Sequence, residues 1–428
     1  MSNSDSGITT SVKTAAQSGV QSLVRLASID AYRGFVMFLM MAELLHLDRM
    51  GKAFADVQTF WGDFWRLLAH HQTHVEWVGC TLHDMIQPSF SFLVGVALPF
   101  SIASRLAKGH SYCWMTTHAL WRALILVLLG VFLRSQWGNE TRWTFEDTLS
   151  QIGFGYVFLF LLGLAALRPP KGILVPIVAL VLILAGYWAA FAFYPEPGAD
   201  FDWAKAGVTA DWEHNLTGFA AHWNKNVNPA RAFDTWFLNL FPRKEAFTCN
   251  GGGYATLSFI PTLATMILGL LAGTLLRSNR RWFGKFGLFI LLGGVCLGLG
   301  WVLDMYGLCP IVKRIWTPSW VLFSGGICFL MLAAFYLIVD IARLKVLFLP
   351  LIVIGSNSIV AYCMADTALN GYFTKNLKTH LGADFFKMFG GGEQFGAAYE
   401  ILFLGAVVLL IDWLILLWMY RNKVHVRI

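Results

Sequence analysis

The amino-acid sequence predicts an all-α, polytopic integral membrane protein of about ten transmembrane helices. Of its 428 residues, 57% are hydrophobic and only 13% are charged, which is too apolar for a soluble protein of this length. Apolar stretches of about 18 residues or more recur along the chain, and each is long enough to cross a hydrocarbon core of ~30 Å. A transmembrane β-barrel would instead show short segments of alternating polarity.

The apolar stretches predict ten spans, joined by short and long loops. The spans lie near residues 33–47, 86–104, 119–134, 151–167, 172–193, 255–276, 284–302, 319–339, 347–365 and 399–420. The short loops are densely basic, whereas the long loops near 48–85, 194–254 and 366–398 mix acids with bases. The positive-inside rule therefore predicts that both termini are cytoplasmic and that the long loops are exoplasmic.

The composition also indicates the domain organisation and the partners. Residues 1–24 are rich in Ser, Thr, Gln and Gly, and we expect a disordered tail there. Residues 25–428 then form a single transmembrane domain. The formal charge of +7 comes from basic residues scattered through the short loops, so it indicates a lipid bilayer as the partner and not nucleic acid.

A histidine-rich stretch lies just before the second predicted span. It contains His70, His71, His74 and His83, followed directly by Asp84. Imidazoles at such a position can transfer protons near neutral pH, because their unperturbed pKa is ~6.5. Asp84 is either a partner that orients His74 or an acid that caps the following helix. A zinc site is the alternative use of the cluster, but no His-Glu-x-x-His motif occurs, and we predict no metal.

Six short motifs occur in order along the chain. They are Leu26–Gly34, His74–Pro88, Gln151–Tyr156, Pro261–Met266, Pro310–Trp320 and Gly355–Ile359. Together they resemble the transmembrane acyltransferases related to lysosomal heparan-alpha-glucosaminide N-acetyltransferase. The resemblance extends from Leu26 to about Tyr362.

The resemblance implies an enzyme that moves an acetyl group across a membrane. The donor would be cytosolic acetyl-CoA, and the acceptor an amino group or hydroxyl of a sugar or glycan on the exoplasmic side. His74 falls on the family's catalytic histidine and would act as a general base or carry the acetyl group itself, with Asp84 orienting it. The family inference for the oligomeric state is a homodimer.

The candidate residues for binding acetyl-CoA are Arg33 and Asn357. Arg33 opens the first span on the cytoplasmic side, and a guanidinium fork suits the phosphates of CoA. Ordinary anchoring of the span is the alternative role of Arg33. Asn357 lies in or beside an apolar span, where its amide needs a partner from a neighbouring helix or a ligand.

The candidate residues for binding the acceptor lie on the exoplasmic side. Lys313 and Arg314 precede Trp316, and these cations would hold an acidic sugar or the reacting carbonyl, or pair with Asp304. Glu43 and Asp366 mark two departures from the family. Family members often have an Asn at the end of the first span, where this chain has Ala42-Glu43-Leu44, and a His after the Asn357 motif, where it has Ala365-Asp366. Both departures concern the acceptor side.

Two other functions stay open from the sequence. A transporter for a sugar or lipid-linked precursor would suit the intramembrane acids Glu43 and Asp412, although no internal repeat is evident. A non-catalytic membrane protein that retains the fold would suit the two departures.

The compartment on the exoplasmic side determines whether cysteines there form a disulfide and whether two sequons there are glycosylated. The exoplasmic Cys249 and Cys309 would pair in an oxidising compartment, with Cys80 as a competing partner and two buried thiols as the alternative. The glycosylation sequons at Asn139 and Asn215 are of a kind frequent by chance, and we favour a bacterial inner membrane.

Overall fold

The protein is described by a computed structural model that covers most of the chain. The described residues are 26–136, 138–168, 171–198, 201–382, 384–389 and 395–426. The predicted disordered tail at residues 1–24 lies outside them.

Helices account for nearly all regular structure in the described residues. The α-helices are α1 (Ala27–Met41), α2 (Leu47–Ala53), α3 (Phe60–His71), α4 (Ile86–Ala107), α5 (Tyr112–Ser135), α6 (Thr148–Ala166), α7 (Leu174–Ala192), α8 (Trp203–Ala206), α9 (Pro229–Phe237), α10 (Phe259–Arg277), α11 (Trp282–Met305), α12 (Pro318–Phe335), α13 (Leu349–Ser356), α14 (Ser358–Asp366), α15 (Leu369–Leu381) and α16 (Gly396–Arg421). Short 3-10 turns at Ala42–Leu45 and His83–Met85 extend α1 and precede α4. In this part of the chain the only β-pairing is an isolated antiparallel bridge between Val78 and Val312.

The all-α membrane fold predicted from the sequence is confirmed. Eight helical segments of the described residues are long and apolar enough to cross a membrane. They are His83–Ala107, Tyr112–Ser135, Thr148–Ala166, Leu174–Ala192, Thr256–Arg277, Trp282–Met305, Pro318–Ile341 and Gly396–Arg421. The bent pair α13–α14 makes a ninth if it is counted as one span.

The first predicted span, near residues 33–47, is not among these nine and differs from the prediction in length and position. The helix there begins earlier, at Ala27, and ends at Met41 after 15 residues. A 3-10 turn continues it to Leu45, and His46 then adopts a left-handed conformation that ends the segment. The α-helix alone is therefore shorter than the ~20 residues that a typical span requires.

The span α4 lies at the centre of the helix bundle. It makes its most extensive contact with α10, and it also touches α1, α6 and α12. Two glycines allow the close approach: a Cβ on Gly95 would overlap the carbonyl of Met266, and a Cβ on Gly269 would overlap the carbonyl of Phe92. Small residues at such crossings let membrane helices pack backbone to backbone. This packing fixes α4, which carries candidate functional residues at both of its ends.

Candidate active site

Asp84 organises the histidine loop that precedes α4. One oxygen of its carboxylate, Oδ2, accepts hydrogen bonds from the backbone N–H groups of Val75 and Thr81, at 3.3 and 3.1 Å, and from the Thr81 hydroxyl at 3.0 Å. The Thr81 hydroxyl also lies 2.6 Å from the carbonyl oxygen of Thr73. Asp84 thus binds donors that precede it in the chain, and not those in the first turn of the helix, as a cap would. The orienting role predicted for it has the required geometry.

The second oxygen of Asp84 contacts two functional groups. His74 Nδ1 lies 2.7 Å from Asp84 Oδ1, and Lys313 Nζ lies 3.1 Å from the same oxygen. Because a carboxylate only accepts hydrogen bonds, Nδ1 carries the proton of the neutral imidazole, and Nε2 keeps its lone pair. Within the described ranges no hydrogen bond to Nε2 is found. The arrangement presents a free base at Nε2.

Burial differs sharply across these three residues. The side chains of Asp84 and Lys313 are 1% and 7% exposed, whereas the side chain of His74 is 39% exposed. The ion pair compensates for two buried charges, and the imidazole remains accessible to a substrate. Burial lowers the pKa of His74, and the charge on Lys313 lowers it further, while the hydrogen bond to Asp84 acts in the opposite direction. His74 is therefore neutral, and able to accept a proton, at neutral pH.

A second loop closes over the histidine loop and supplies Lys313. The bridge between Val78 and Val312, with a hydrogen bond from Gly79 N to Ile311 O of 3.0 Å, joins the two loops. Arg314 reinforces the joint, because its guanidinium donates to the carbonyl oxygens of Gly252 and Val75 at 2.8 and 3.1 Å. Asp304, the alternative partner of these cations, instead accepts from Ile311 N at 2.9 Å.

A large cavity runs along α4 from Phe90 to Arg105, towards the other end of this helix. It has a volume of about 680 Å³ and is lined by α1, α4, α5, α6 and the junction of α13 with α14. Its basic mouth is formed by Arg33, Arg105, Lys108, His118 and Arg122. Its inner end is apolar and is formed by Phe90, Leu149 and Ile152. The 22 residues of α4 extend about 33 Å, so this mouth and His74 lie at opposite ends of a membrane-spanning helix.

Comparison with known proteins finds similarity to the same enzyme whose relatives the sequence motifs resemble. Human heparan-alpha-glucosaminide N-acetyltransferase is 24% identical to the chain over 389 residues, which cover 82% of this chain and 54% of the human protein. The chain is a distant relative of heparan-alpha-glucosaminide N-acetyltransferase. The mouse protein of the same name is 23% identical with the same coverage. The chain spans about half the length of the curated relatives it matches, and no protein-family model matches it.

The two residues predicted to bind acetyl-CoA, Arg33 and Asn357, lie at or beside the cavity. Arg33 lines it and also pairs with Asp30, at 3.4 Å. Asn357 does not line it; its amide donates to the carbonyl of Val424 and accepts from the N–H of Val426, at 3.0 and 3.1 Å. Asn357 therefore fixes the C-terminal segment against the 82° bend between α13 and α14.

Two of the residues predicted to bind the acceptor, Glu43 and Asp366, are carboxylates near His74. Glu43 lies on the 3-10 turn after α1, is 58% exposed and pairs with His83 Nε2 at 3.1 Å. The ring of His83 lies 4.6 Å from that of His74, measured between centroids, which brings Glu43 to the site. Asp366 ends α14 and interacts electrostatically with Glu43.

Trp316 does not face the site. It is 1% exposed, and its indole N–H donates to the Thr265 hydroxyl at 3.1 Å. Its ring is therefore buried between helices and not accessible for stacking on a sugar. Its backbone adopts a left-handed conformation, with φ 52°, at the turn that leads into α12.

Neither the predicted disulfide nor a metal cluster is present in the described residues. Cys249 and Cys309 are both free thiols, and Cys309 is buried beside the Ser319 hydroxyl, at 3.5 Å. Within this part of the chain, no group of three or more His, Cys, Asp or Glu side chains is arranged to hold a metal ion. His70 and His71 are exposed on the C-terminal turn of α3, and the backbone N–H of Leu82 donates to His71 Nδ1 at 3.4 Å.

From the sequence, three basic residues were not placed at the cavity that they line. Arg105, Lys108 and Arg122 were interpreted only as loop cations that orient the spans. Arg105 lies four residues after Ser101 and seven after Leu98, both of which line the cavity, so they share one face of α4. That spacing was the signal available in the sequence.

Proposed function

We propose that the protein is a membrane acetyltransferase that uses acetyl-CoA as donor and a sugar or glycan amine, or hydroxyl, as acceptor. The observation that carries the proposal is the position of His74, paired with Asp84 at one end of α4, relative to the basic cavity at the other end. CoA carries several phosphate charges, and a basic mouth with an apolar interior is complementary to its two ends. A cavity of about 680 Å³ is of the size that holds such ligands.

The proposed reaction assigns one role to each residue at the exoplasmic end. His74 Nε2 takes the proton of the acceptor amine or hydroxyl as that group attacks the thioester carbonyl. The carbon–sulfur bond then breaks, and the CoA thiolate leaves with the proton that His74 returns. Asp84 holds the imidazolium while it exists, and Lys313 keeps Asp84 charged.

The alternative route has His74 attack the thioester itself and carry the acetyl group to the acceptor. Glu43 and Asp366 would attract the protonated form of an amine to the site before it reacts. Both routes use the same residues, and they differ in whether labelled acetyl remains on the protein when no acceptor is present.

Replacement of His74 tests the proposed function directly. The purified protein is given acetyl-CoA labelled in the acetyl group and glucosamine, and labelled sugar is measured. His74→Ala is expected to lower the rate by on the order of 10²- to 10⁴-fold, the usual contribution of a general base. His70→Ala is the matched control, because it changes a nearby exposed histidine that does not contact Asp84.

The outcome also separates the competing functions. Equal transfer by wild type and His74→Ala would remove His74 from the mechanism. Uptake of unmodified sugar into vesicles, with no labelled product, would favour a transporter. Neither transfer nor uptake by the wild-type protein would favour a non-catalytic membrane protein.

A further inference from the structure

Three polar side chains from three different motifs meet within the helix bundle. Gln87 Nε2 donates to Gln151 Oε1 at 2.9 Å, and the Thr262 hydroxyl donates to the same oxygen at 2.9 Å. Gln151 and Thr262 are almost fully buried, and Gln87 is partly exposed. Amides are costly in a membrane interior unless they are hydrogen-bonded. A cluster of them within the helix bundle therefore indicates a structural or functional role.

The cluster lies between the cavity and His74. Gln87 precedes the cavity-lining residues Phe90 and Val94 by three and seven positions, so it shares their face of α4. It lies about 4.5 Å along the helix axis from Phe90 and about 6 Å from His83, on the opposite side. On α6, Gln151 is adjacent to Ile152, which forms the inner end of the cavity.

The hydrogen bonds already made determine what Gln87 has left to offer. Gln151 Oε1 accepts two hydrogen bonds, and Gln151 Nε2 donates to the carbonyl of Glu146 at 3.2 Å. Gln151 is therefore fixed in orientation, and it holds the amide of Gln87 in turn. One N–H of Gln87 is used, and among the described residues its second N–H and its carbonyl have no partner. The free N–H is a neutral, oriented donor.

We propose that Gln87 donates this N–H to the thioester carbonyl oxygen of acetyl-CoA, with Gln151 and Thr262 as positioning residues. This inference rests on the proposed function. As the acceptor attacks, the carbonyl oxygen gains negative charge, and the bond from Gln87 strengthens. When the carbon–sulfur bond breaks, the oxygen returns to a carbonyl and the thiolate leaves. Gln87 keeps its proton throughout.

Binding of two CoA analogues tests the contact without turnover. One is the ketone analogue of acetyl-CoA, in which a methylene replaces the sulfur, and the other is S-ethyl-CoA, which lacks the carbonyl. Wild type is expected to bind the ketone about three- to tenfold more tightly, the usual effect of one hydrogen bond. In Gln87→Leu this preference is expected to disappear, while the affinity for S-ethyl-CoA stays within about twofold.

Measurements of kcat and KM, and a second variant at Thr262, keep the proposal testable if Gln87→Leu does not fold. Gln87→Leu is expected to lower kcat by on the order of 10²-fold, and to raise the KM for acetyl-CoA by no more than the roughly three- to tenfold lost in ketone binding. Thr262→Val removes only a support of Gln151 and is expected to weaken the ketone preference in part. Thr274→Val is its control, because among the residues that the structure describes that hydroxyl bonds only to Leu270 O on its own helix.

The possible failures are distinguishable. Full retention of the ketone preference and of kcat in Gln87→Leu, or in Thr262→Val if Gln87→Leu does not fold, would overturn the role of the cluster and leave the proposed function intact. Absence of both analogue binding and acetyl transfer in the wild-type protein would overturn the proposed function, and this inference with it.

Discussion

At the scale of single residues, the charges around His74 determine whether its imidazole works as a base. Asp84 favours the protonated ring through the bond at Nδ1, whereas burial and the charge on Lys313 favour the neutral ring. The result is a pKa for His74 below its ordinary value. A base with a lowered pKa stays available at mildly acidic pH, at the cost of a weaker pull on the proton.

Removal of the positive charge at Lys313 should shift the pH dependence of the reaction. His74 acts as a base only in its neutral form. Activity is therefore present above the pKa of His74, which lies below its ordinary value, and is lost as the pH falls through that pKa. Lys313→Met removes a charge that lowers this pKa, so the acid limb of the kcat/KM profile is expected to move to higher pH. Lys378→Met, in an ion pair with Glu400, is the control and should leave the limb in place. A shift to lower pH would contradict the charge assignment.

The sequence alone could predict part of this residue-level picture. His74 and Asp84 are ten positions apart in one loop, so a pairing between them was a reasonable hypothesis. Lys313 is 239 positions from His74, and its pairing with Asp84 depends on how two loops meet in the folded protein. The burial of Trp316 was equally inaccessible, because a tryptophan beside a loop has the same sequence signature whether it faces solvent or helices.

At the scale of helices, α4 links the two halves of the proposed site. Its apolar length was predicted from hydropathy, because a span of this kind needs no tertiary information. The limits of α1 and the break at Asn357 were not predicted correctly. The helix α1 begins six residues earlier than the predicted span, and the 347–365 span is bent by 82°. Asn357 at this break binds the backbone of a C-terminal segment that is far away in sequence.

The contact between α4 and α10 should be sensitive to added volume. Gly269→Val places a side chain against the carbonyl of Phe92, and overpacking of this kind typically costs about 1–3 kcal/mol. We expect a lower unfolding temperature in detergent and reduced acetyl transfer, because α4 must shift. Gly298→Val is the matched control on α11, since a Cβ there meets no atom within 4 Å. Equal unfolding temperatures for the two variants would show that the crossing tolerates the added side chain.

At the scale of the whole molecule, the two ends of the bundle differ in chemistry. The cavity mouth is basic, with Arg33, Arg105, Lys108 and Arg122 at one end of the spans. The other end combines His74 and the exposed carboxylate of Glu43 with the buried ion pair of Asp84 and Lys313. Under the proposed function, the basic end attracts the anionic CoA thioester, and the exposed carboxylate of Glu43 attracts a cationic amine at the other end. The positive-inside rule predicts that the basic end is cytoplasmic.

This polarity predicts a sidedness for the reaction that can be measured in sealed vesicles. With a membrane-impermeant amino sugar enclosed, labelled acetyl-CoA added outside is expected to label the sugar only where the basic mouth faces outward. Inside-out vesicles from cells that make the protein should therefore be active, and right-side-out vesicles should be silent until they are permeabilised. The permeabilised vesicles control for the amount of protein in each preparation. Equal labelling by both sealed orientations would contradict a path that runs along α4 from one side of the membrane to the other.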